Sequence, residues 1–384
     1  PVALAIADLD GDTILDIVTA NWSSNDISVM IGEGDGGFRR ALPDSFPTGI
    51  NPTSVAIADF DADGILDVAT ADFNGDTVSL LLGFGDASFR PAGTFPTDAA
   101  PSALEARDLN GDGIIDFVTA CAGQPQEGRV ALLLGRGAGA FFVLRSFETA
   151  GGTVATHAAD LDGDGDLDLA AANAEANTLS IFLGDGTGEL QPAEAQPTLT
   201  ILGGPVAVRS GDLDGDGNLD LVTVSGNGDS GGIFFGNGDG TFVTPPSTFA
   251  TDLSPLDVAI ADLNGDTALD LLSANCDSDD VMVLLGNGDG TFPLNGFSAP
   301  VGNCPVALRL ADLDGNGLSD VVTVNYFSDT LSILLGNGNG TFQQERSIDT
   351  PTGPISVAVG DLDGDGDLDL AVAGEGSGRG EVAL

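Results

Sequence analysis

Residues 160–168 read Asp-Leu-Asp-Gly-Asp-Gly-Asp-Leu-Asp, one of eight copies of the pattern Asp-x-Asp/Asn-x-Asp/Asn-x-x-x-Asp. Successive copies start 49 to 52 residues apart, at Asp8, Asp59, Asp108, Asp160, Asp212, Asp262, Asp312 and Asp361. A regular period of this length indicates a repeat array rather than several ordinary domains. We therefore interpret residues 1–384 as a single domain of eight repeats, with units at about 1–50, 51–99, 100–150, 151–203, 204–253, 254–303, 304–353 and 354–384.

Each unit has the same order of short apolar stretches and turns. In unit 2, apolar stretches at 54–58 and 66–71 flank the acidic loop, and a third follows at 78–82. Third stretches run into glycine-rich turns such as Gly-Asn-Gly-Asp-Gly-Thr-Phe at 236–242, which suit the positive φ angles of tight hairpins. Four short antiparallel strands per unit predict an all-β fold, a β-propeller of about eight four-stranded blades. The last blade is incomplete, because unit 8 ends at 381–384 where its third strand begins, and the alternative is a seven-bladed ring.

The acidic loops have the ligand spacing of calcium sites. Calcium takes six to eight oxygen ligands, and positions 1, 3, 5 and 9 of each loop offer side-chain oxygens while position 7 offers a backbone carbonyl. The predicted ligands of the first four loops are Asp8, Asp10, Asp12, Ile14, Asp16; Asp59, Asp61, Asp63, Ile65, Asp67; Asp108, Asn110, Asp112, Ile114, Asp116; and Asp160, Asp162, Asp164, Asp166, Asp168. Those of the last four are Asp212, Asp214, Asp216, Asn218, Asp220; Asp262, Asn264, Asp266, Ala268, Asp270; Asp312, Asp314, Asn316, Leu318, Asp320; and Asp361, Asp363, Asp365, Asp367, Asp369. We expect about eight Ca²⁺ ions.

EF-hands and plain solvated turns are the two alternatives to calcium propeller loops. EF-hands are excluded because position 12 carries no Glu and the flanking segments are β-like. Solvated turns also favour Asp and Gly, but they do not require four oxygens at fixed spacing eight times. Ligand positions carry 29 carboxylates, and eight Ca²⁺ would change the net charge from −48 to −32. Thr13 and Thr267 occupy position 6, where Gly suits the sharp turn, so these two sites are expected to be weaker.

Composition excludes two classes of partner. The chain has 59 acidic residues, 11 arginines and no lysine, which rules out nucleic-acid binding by a basic patch. It has no run near the roughly 18 apolar residues of a membrane helix, so we expect no direct membrane insertion.

The order strand, Asp-x-Asp-Gly-Asp-Gly-x-x-Asp, strand, Leu-Leu-Gly-Asn-Gly-Asp-Gly-Thr-Phe resembles the FG-GAP repeat of integrin alpha-chain propellers and the related bacterial VCBS-type repeats. The resemblance covers essentially the whole chain. It implies a calcium-bound propeller, usually extracellular, that acts in adhesion or ligand recognition. Eight units rather than seven depart from the integrin pattern.

Aromatic residues mark a candidate partner surface on the face opposite the acidic loops. Trp22, Phe73, Tyr326 and Phe327 follow second strands in units 1, 2 and 7. Aromatic residues on loops of a rigid scaffold are enriched in recognition sites, although each ring can also just cover the end of its own blade.

A second set of residues lies three positions before each loop, in the innermost strand. These residues are Ala5, Ala56, Glu105, His157, Arg209, Ala259, Arg309 and Ala358. Glu105, His157 and Arg209 form either a polar site near the channel or, in the favoured interpretation, charge pairing between blades. Cys276 and Cys304 fall on the loop-free face of neighbouring units, where a disulfide is an open alternative, and Cys121 would stay free.

The sequence leaves three functions open. The favoured one is a secreted or surface-attached module that binds a protein or glycan partner on the loop-free face. A structural spacer within a larger surface protein is the first alternative, and a polysaccharide-active enzyme is the second. We expect no enzyme, because one His, one Tyr and no Lys leave few general bases and no nucleophile-base motif is present.

Overall fold

The computed structural model describes residues 1–123, 127–141, 145–293, 296–376 and 381–383. Within these residues the chain forms only β-strands and turns, and no helix of a length and apolarity that would cross a membrane is present. The strands assemble into consecutive antiparallel sheets, one per repeat, so the all-β prediction is confirmed.

The sheets follow the chain in order. Blades 1 to 4 consist of β1 (Ala3–Ala7), β2 (Asp16–Asn21), β3 (Asp26–Gly32), β4 (Phe38–Pro47); β5 (Pro52–Ala58), β6 (Asp67–Asp72), β7 (Thr77–Gly83), β8 (Phe89–Pro96); β9 (Pro101–Arg107), β10 (Asp116–Cys121), β11 (Arg129–Leu133), β12 (Arg145–Glu148); and β13 (Thr153–Ala159), β14 (Asp168–Asn173), β15 (Thr178–Gly184), β16 (Leu190–Pro192), β17 (Thr198–Thr200). Blades 5 to 8 consist of β18 (Pro205–Gly211), β19 (Asp220–Ser225), β20 (Ser230–Phe234), β21 (Ser247–Ala250); β22 (Pro255–Ala261), β23 (Asp270–Asn275), β24 (Asp280–Leu284), β25 (Phe297–Pro300); β26 (Pro305–Ala311), β27 (Asp320–Asn325), β28 (Thr330–Leu334), β29 (Arg346–Asp349); and β30 (Pro354–Gly360), β31 (Asp369–Gly374), β32 (Glu381–Ala383).

The blades form a closed ring. The first strand of each blade contacts the first strand of the next, and β30 contacts β1. Seven blades are complete, with the outer strand of blade 4 divided into β16 and β17, which both pair with β15. The predicted count of eight four-stranded blades is therefore slightly off: the alternative of seven fits the complete blades, and the eighth sheet has three described strands.

The core lies between the blades rather than within them. Eight clusters of buried side chains each join two neighbouring blades, and the cluster of Ile17, Leu362 and Ala371 joins the last blade to the first. At the seam between blades 2 and 3, the rings of Phe60 and Phe117 lie 4.6 Å apart. Second strands are buried on both faces, which explains their continuous apolar sequences, whereas residues of the first strands are largely half-buried around the central axis.

Proline marks the start of most first strands. Six of the eight begin at Pro52, Pro101, Pro205, Pro255, Pro305 or Pro354. Proline has no N–H, and the first residue of a strand is one of the few sheet positions that tolerate it. A register shift follows the proline in each of these blades, for example between Pro52 and Ser54. In these six blades the proline pairs with the last residue of the second strand, so the first strands begin in the same register.

Candidate metal centres

All eight acidic loops connect a first strand to a second strand and therefore lie at one end of the ring. We call this end the loop face. It is defined by residues 8–16, 59–67, 108–116, 160–168, 212–220, 262–270, 312–320 and 361–369. The opposite face carries the turns between second and third strands, at 22–25, 73–76, 174–177, 226–229, 276–279 and 326–329, and the connections to the next blade.

Within each loop, backbone N–H groups hold the carboxylates in place. In loop 1, the Gly11 N–H donates to Asp8 Oδ1 at 2.7 Å, and the Thr13 N–H donates to Asp8 Oδ2 at 2.9 Å. The Ile14 N–H donates to Asp12 Oδ1 at 2.8 Å. Equivalent bonds recur in the other loops, for example from Gly217 and Asn218 in loop 5. The chain is thus wrapped around its own acidic side chains.

These carboxylates converge closely enough to hold cations. In loops 1, 2, 5 and 7, one oxygen from each of positions 1, 3 and 9 lies within 4.8 Å of the other two, and in loop 4 the same holds for positions 1, 3 and 5. Every donor in these groups is an oxygen, which is the ligand type that calcium prefers. The acidic loops could therefore hold metal ions, while the identity of the ion and each ligand assignment stay predictions.

The aspartate at position 9 has a second role that sequence reasoning missed. Asp220 is fully buried, its Oδ2 accepts the Leu213 N–H at 2.8 Å, and its Oδ1 accepts the Gly236 N–H at 2.9 Å. It therefore ties its own loop to the glycine-rich turn that ends the third strand. The same pair of bonds is present in the first seven blades; the bond from the loop N–H is present in the eighth as well.

Burial and crowding make the loops electrostatically unfavourable without a cation. Burial raises the pKa of Asp220 to about 6, and it does the same for Asp16, Asp67, Asp116 and Asp168. At position 3, burial raises the pKa of Asp214, and the neighbouring carboxylates of Asp216 and Asp212 raise it further. A divalent cation would reverse both effects because it stabilises the charged form.

Position 6 keeps the left-handed conformation in every loop. Glycine adopts it at six loops, and Thr13 and Thr267 adopt it with φ values of 77° and 72°. A threonine in this region is strained, because its Cβ approaches the following carbonyl group. The loop shape is therefore the same in loops 1 and 6, and the expectation that these two sites bind more weakly stays a prediction.

Loops 1, 2, 5 and 6 also accept a backbone hydrogen bond from the next blade. The Ala138 N–H donates to the Asp61 carbonyl at 3.0 Å, and the Gly290 N–H donates to the Leu213 carbonyl at 3.1 Å. Both donors belong to glycine-rich turns, and both acceptors lie in the acidic loop of the preceding blade. Ordering a loop by a metal ion would therefore also order the seam beside it.

The predicted aromatic residues lie on the opposite face as two separate pairs. The rings of Trp22 and Phe73 are 5.6 Å apart across the seam between blades 1 and 2, and those of Tyr326 and Phe327 are 5.2 Å apart. The Tyr326 hydroxyl donates to Glu375 Oε2 of blade 8 at 2.9 Å. Phe327 is 70% exposed. Within the described residues no ring contact joins the two pairs, which lie on either side of blade 8.

The same face carries the disulfide. Cys276 and Cys304 are bonded, which joins the second-strand end of blade 6 to the entry of blade 7. Cys121 is free and buried, and burial raises the pKa of its thiol to about 12. A thiol that stays protonated is unreactive, so Cys121 is a packing residue.

Near the axis, Glu105, His157 and Arg209 each contact a residue of the next blade rather than one another, and only Arg209 makes a charge pair. Glu105 of blade 3 accepts the Thr156 hydroxyl of blade 4 at 2.9 Å. His157 Nε2 lies 2.9 Å from Ser210 Oγ of blade 5. Arg209 donates to Asp257 Oδ1 of blade 6 at 3.2 Å. Sequence reasoning missed Asp257, which lies two residues before the aligned position.

A groove of about 590 Å³ lies elsewhere, between the outer strands of blades 4 and 5. It is lined mainly by threonines, prolines and aliphatic side chains, among them Thr198, Leu202 and Pro245, and by no charged residue of the described chain. The groove is therefore remote from both the acidic loops and the channel.

Solved structures with the same fold come from proteins of different function. A proposed 6-phosphogluconolactonase from Bacteroides fragilis superposes with a TM-score of 0.61 at 17% identity, over 90% of this chain and 97% of that one. The periplasmic gluconolactonase PpgL of Pseudomonas aeruginosa gives 0.57 at 15% identity, over 92% and 98%. A lectin of Agrocybe aegerita that recognises non-reducing terminal N-acetylglucosamine gives 0.53 at 18% identity, over 97% and 100%. No curated protein matches the chain.

The prediction that the chain is not an enzyme is therefore wrong. It rested on the lack of a catalytic motif, yet two of the similar structures are those of a gluconolactonase and a proposed 6-phosphogluconolactonase. At these identities the likeness shows the fold alone, but a fold shared with such proteins removes the argument against an enzyme.

A family model for the FG-GAP-like repeat matches residues 8–70, 61–119, 108–171, 160–223, 262–323 and 312–372. Each match begins in one acidic loop and ends in or just after the next, so it spans the structural period described above. The finer resemblance to integrin alpha chains and VCBS-type repeats stays a prediction. The matches cover most of the chain, which belongs to the FG-GAP-like repeat family.

Proposed function

We propose that the chain is an extracellular, calcium-stabilised propeller that binds a protein or glycan partner on the face opposite its acidic loops. The observation that carries the proposal is that the two faces present different kinds of residues. Converging carboxylates lie on the loop face, and the half-buried rings of Trp22, Phe73 and Tyr326, the exposed Phe327 and the disulfide lie on the opposite face.

Calcium is the ion that best fits the donor set. The side chains are carboxylates and amides, with no His or Cys in the loops, and a position-7 carbonyl completes an oxygen-only shell. When bound, calcium would neutralise the crowded carboxylates and hold the loop closed. At a concentration of 100 times the dissociation constant, each ion would add about 2.7 kcal/mol to the free energy of unfolding.

An oxidising, calcium-rich compartment agrees with two features. Disulfides such as Cys276–Cys304 persist outside the cytosol in most organisms. Extracellular calcium modules work at weak affinity, so loops strained by Thr13 and Thr267 would still be filled there.

The partner surface centres on the Trp22–Phe73 pair and the neighbouring Ile50, which is 54% exposed. The carbonyl of Ile50 accepts the Asn74 and Gly75 N–H groups, so the three side chains belong to one hydrogen-bonded corner between blades 1 and 2. A rigid corner loses little conformational entropy on binding, which favours recognition.

Calcium binding is tested by calorimetric titration of EDTA-treated protein, with thermal melts in EDTA and in calcium and with Trp22 fluorescence recorded in parallel. We expect about eight ions, a large rise in melting temperature and little change at Trp22. Two or three weak ions without stabilisation would contradict a structural role for calcium and assign the loop face to a partner.

Partner binding is tested on a glycan array and a panel of extracellular proteins with wild type, Trp22→Ala and Phe84→Ala. Phe84 is a matched control, because it is 56% exposed but lies in a glycine-rich turn on the loop face. Loss of binding with Trp22→Ala alone supports the proposal. Loss with Phe84→Ala alone would move the interaction to the loop face, and no binding in any assay would favour a structural spacer.

A further inference from the structure

The central channel concentrates positive charge in a strongly acidic protein. Three of the 11 arginines, Arg107, Arg209 and Arg309, lie in innermost strands, whereas the chain as a whole carries a net charge of −48. Two carboxylates, Glu105 and Asp257, belong to the same polar sector. The sector therefore carries one surplus positive charge before any contribution from His157.

The surplus charge is presented by guanidinium groups with unused donors. Asp257 lies between two of them: Arg209 Nη2 is 3.2 Å from its Oδ1, and Arg309 Nη1 is 3.5 Å from its Oδ2. Nη1 of Arg209 also donates to the Val208 carbonyl, and Nη1 of Arg309 donates to the Leu308 carbonyl. Within the described part of the chain, Nε of both arginines and Nη2 of Arg309 have no partner.

Burial differs across this cluster in a way that favours a ligand. The side chain of Asp257 is 12% exposed, and its two oxygens also accept the N–H groups of Val258 and Leu308. The side chains of Arg209 and Arg309 are 40% and 45% exposed. One carboxylate is thus largely buried, while both cations keep two fifths or more of their side-chain surface exposed.

Alanine occupies the matching position in the three blades that follow Arg309 around the ring. At the height of Arg209 and Arg309, blades 8, 1 and 2 carry Ala358, Ala5 and Ala56. Blade 3 carries Glu105 at this height, where it accepts the Thr156 hydroxyl and the Ala158 N–H of blade 4. A molecule held at the arginines would therefore meet small side chains on blades 8, 1 and 2.

From this geometry we infer that the channel binds a small monocarboxylate, which Arg209 and Arg309 hold by their free N–H groups. A planar carboxylate matches the fork of a guanidinium, and Asp257 already shows one carboxylate between the same two cations. A single negative charge balances the surplus of one, whereas a phosphate dianion would add uncompensated charge near the acidic loops. The uncharged part of the ligand would lie toward Ala358, Ala5 and Ala56.

The test is isothermal titration calorimetry of the calcium-loaded protein with D-glucuronate, D-glucose and inorganic phosphate. The two sugars differ only by the carboxylate, so glucuronate should bind and glucose should not. Arg309→Gln should weaken glucuronate binding about 10-fold or more, the factor expected for a lost charge-assisted hydrogen bond. Arg40→Gln is the matched control: Arg40 is exposed on the outer strand of blade 1 and should leave binding unchanged.

Arg309→Gln should fold, because Arg209 still neutralises Asp257, and a thermal melt verifies this. Arg309→Lys is a second variant, which keeps the positive charge but loses the forked guanidinium. Its affinity for glucuronate should lie between those of wild type and Arg309→Gln. Absence of heat with glucuronate, equal binding of glucose, tighter binding of phosphate, or equal loss in Arg40→Gln would each overturn the inference. Trp22→Ala should leave this site untouched, so the result is independent of the proposed partner surface.

Discussion

Asp and Asn side chains make stabilising hydrogen bonds on both faces of the ring, but in a different arrangement on each face. On the opposite face, at six of the eight seams, one described side chain accepts the N–H group of the residue ahead of the next blade. These acceptors are Asn25, Asp76, Asn177, Asp229, Asp279 and Asp329, at distances of 2.7 to 3.1 Å. Each has a positive φ, a conformation that Asn and Asp tolerate better than most residues.

On the loop face, four or five acidic or amide side chains crowd into each loop, and in five loops one oxygen from each of three carboxylates lies within 4.8 Å of the others. On the opposite face, each of the six acceptors named above is paired with one N–H donor of the protein. The loop face holds more carboxylate charge than its N–H groups neutralise. We therefore expect that a cation affects the stability of the loop face and not that of the opposite face.

The largest single-residue effect should come from position 9 of a loop. Asp220→Ala leaves the Leu213 and Gly236 N–H groups without their acceptor in a buried site. At about 1–3 kcal/mol for each unsatisfied group, the free energy of unfolding should fall by about 2–6 kcal/mol in EDTA as well as in calcium. Chemical denaturation under both conditions measures this loss.

Asp214→Ala is the matched variant for the ligand role. Asp214 accepts only an exposed N–H at 3.2 Å. Asp214→Ala should therefore change the free energy of unfolding little in EDTA and should lower it by about 2.7 kcal/mol in saturating calcium. An equal loss for Asp214→Ala in EDTA and in calcium would contradict the metal assignment. Asp220→Asn keeps one acceptor oxygen, so its free energy of unfolding should lie between those of Asp220→Ala and wild type.

Reduction of the disulfide should have the next largest effect and should not depend on calcium. The bond closes a loop over a sequence separation of 28, for which chain entropy gives about 3.5 kcal/mol. Melts with and without reductant measure the loss, and the double variant Cys276→Ser/Cys304→Ser should be insensitive to reductant. A change in the number of bound calcium ions on reduction would break the separation between the faces.

The local sequence predicts the strands and loops of each blade, but it does not predict hydrogen bonds between residues far apart in the chain. The alternation of apolar stretches, acidic loops and glycine-rich turns predicted the strands and the loop face, because each is encoded within about ten residues. The second role of Asp220 depends on the Gly236 N–H, which follows the third strand and lies 16 residues later, and pattern alone does not set that register. Asp76 and its equivalents did carry a signal, an Asp or Asn directly before six of the third strands, but polar turns of variable length hid it.

The opposite-face acceptors should contribute a smaller, calcium-independent amount. Asp76→Ala removes the acceptor for the Ala100 N–H at 2.9 Å and places alanine at a φ of 52°. We expect a loss of about 1–2 kcal/mol, equal in EDTA and calcium. Asp76→Asn keeps both the acceptor and the tolerated φ and should be near neutral. A larger loss in calcium than in EDTA would show that the two faces are coupled.

The smallest expected effect concerns the one buried carboxylate at the opposite-face end of a second strand. Asp72 accepts the hydroxyls of Thr70, Thr77 and Ser79, while the equivalent residue in blade 4 is Asn173, which donates to Thr178 and Ser180. Burial raises the pKa of Asp72, so the folded state holds its proton more tightly than the unfolded chain does.

Stability from this group should therefore rise as the pH falls from neutral through the folded-state pKa of Asp72. Asp72→Asn removes that dependence, because the two hydroxyls can turn to accept an amide as they do around Asn173. The free energy of unfolding of the variant should exceed that of wild type by on the order of 1 kcal/mol at pH 7, and by less as the pH is lowered. Denaturation curves at several pH values, in calcium and in EDTA, measure the difference. A gain that vanishes in EDTA would tie Asp72 to the metal sites and break the contrast between the faces, whereas an equal gain in both would show that the opposite face buries its charge without help from a cation.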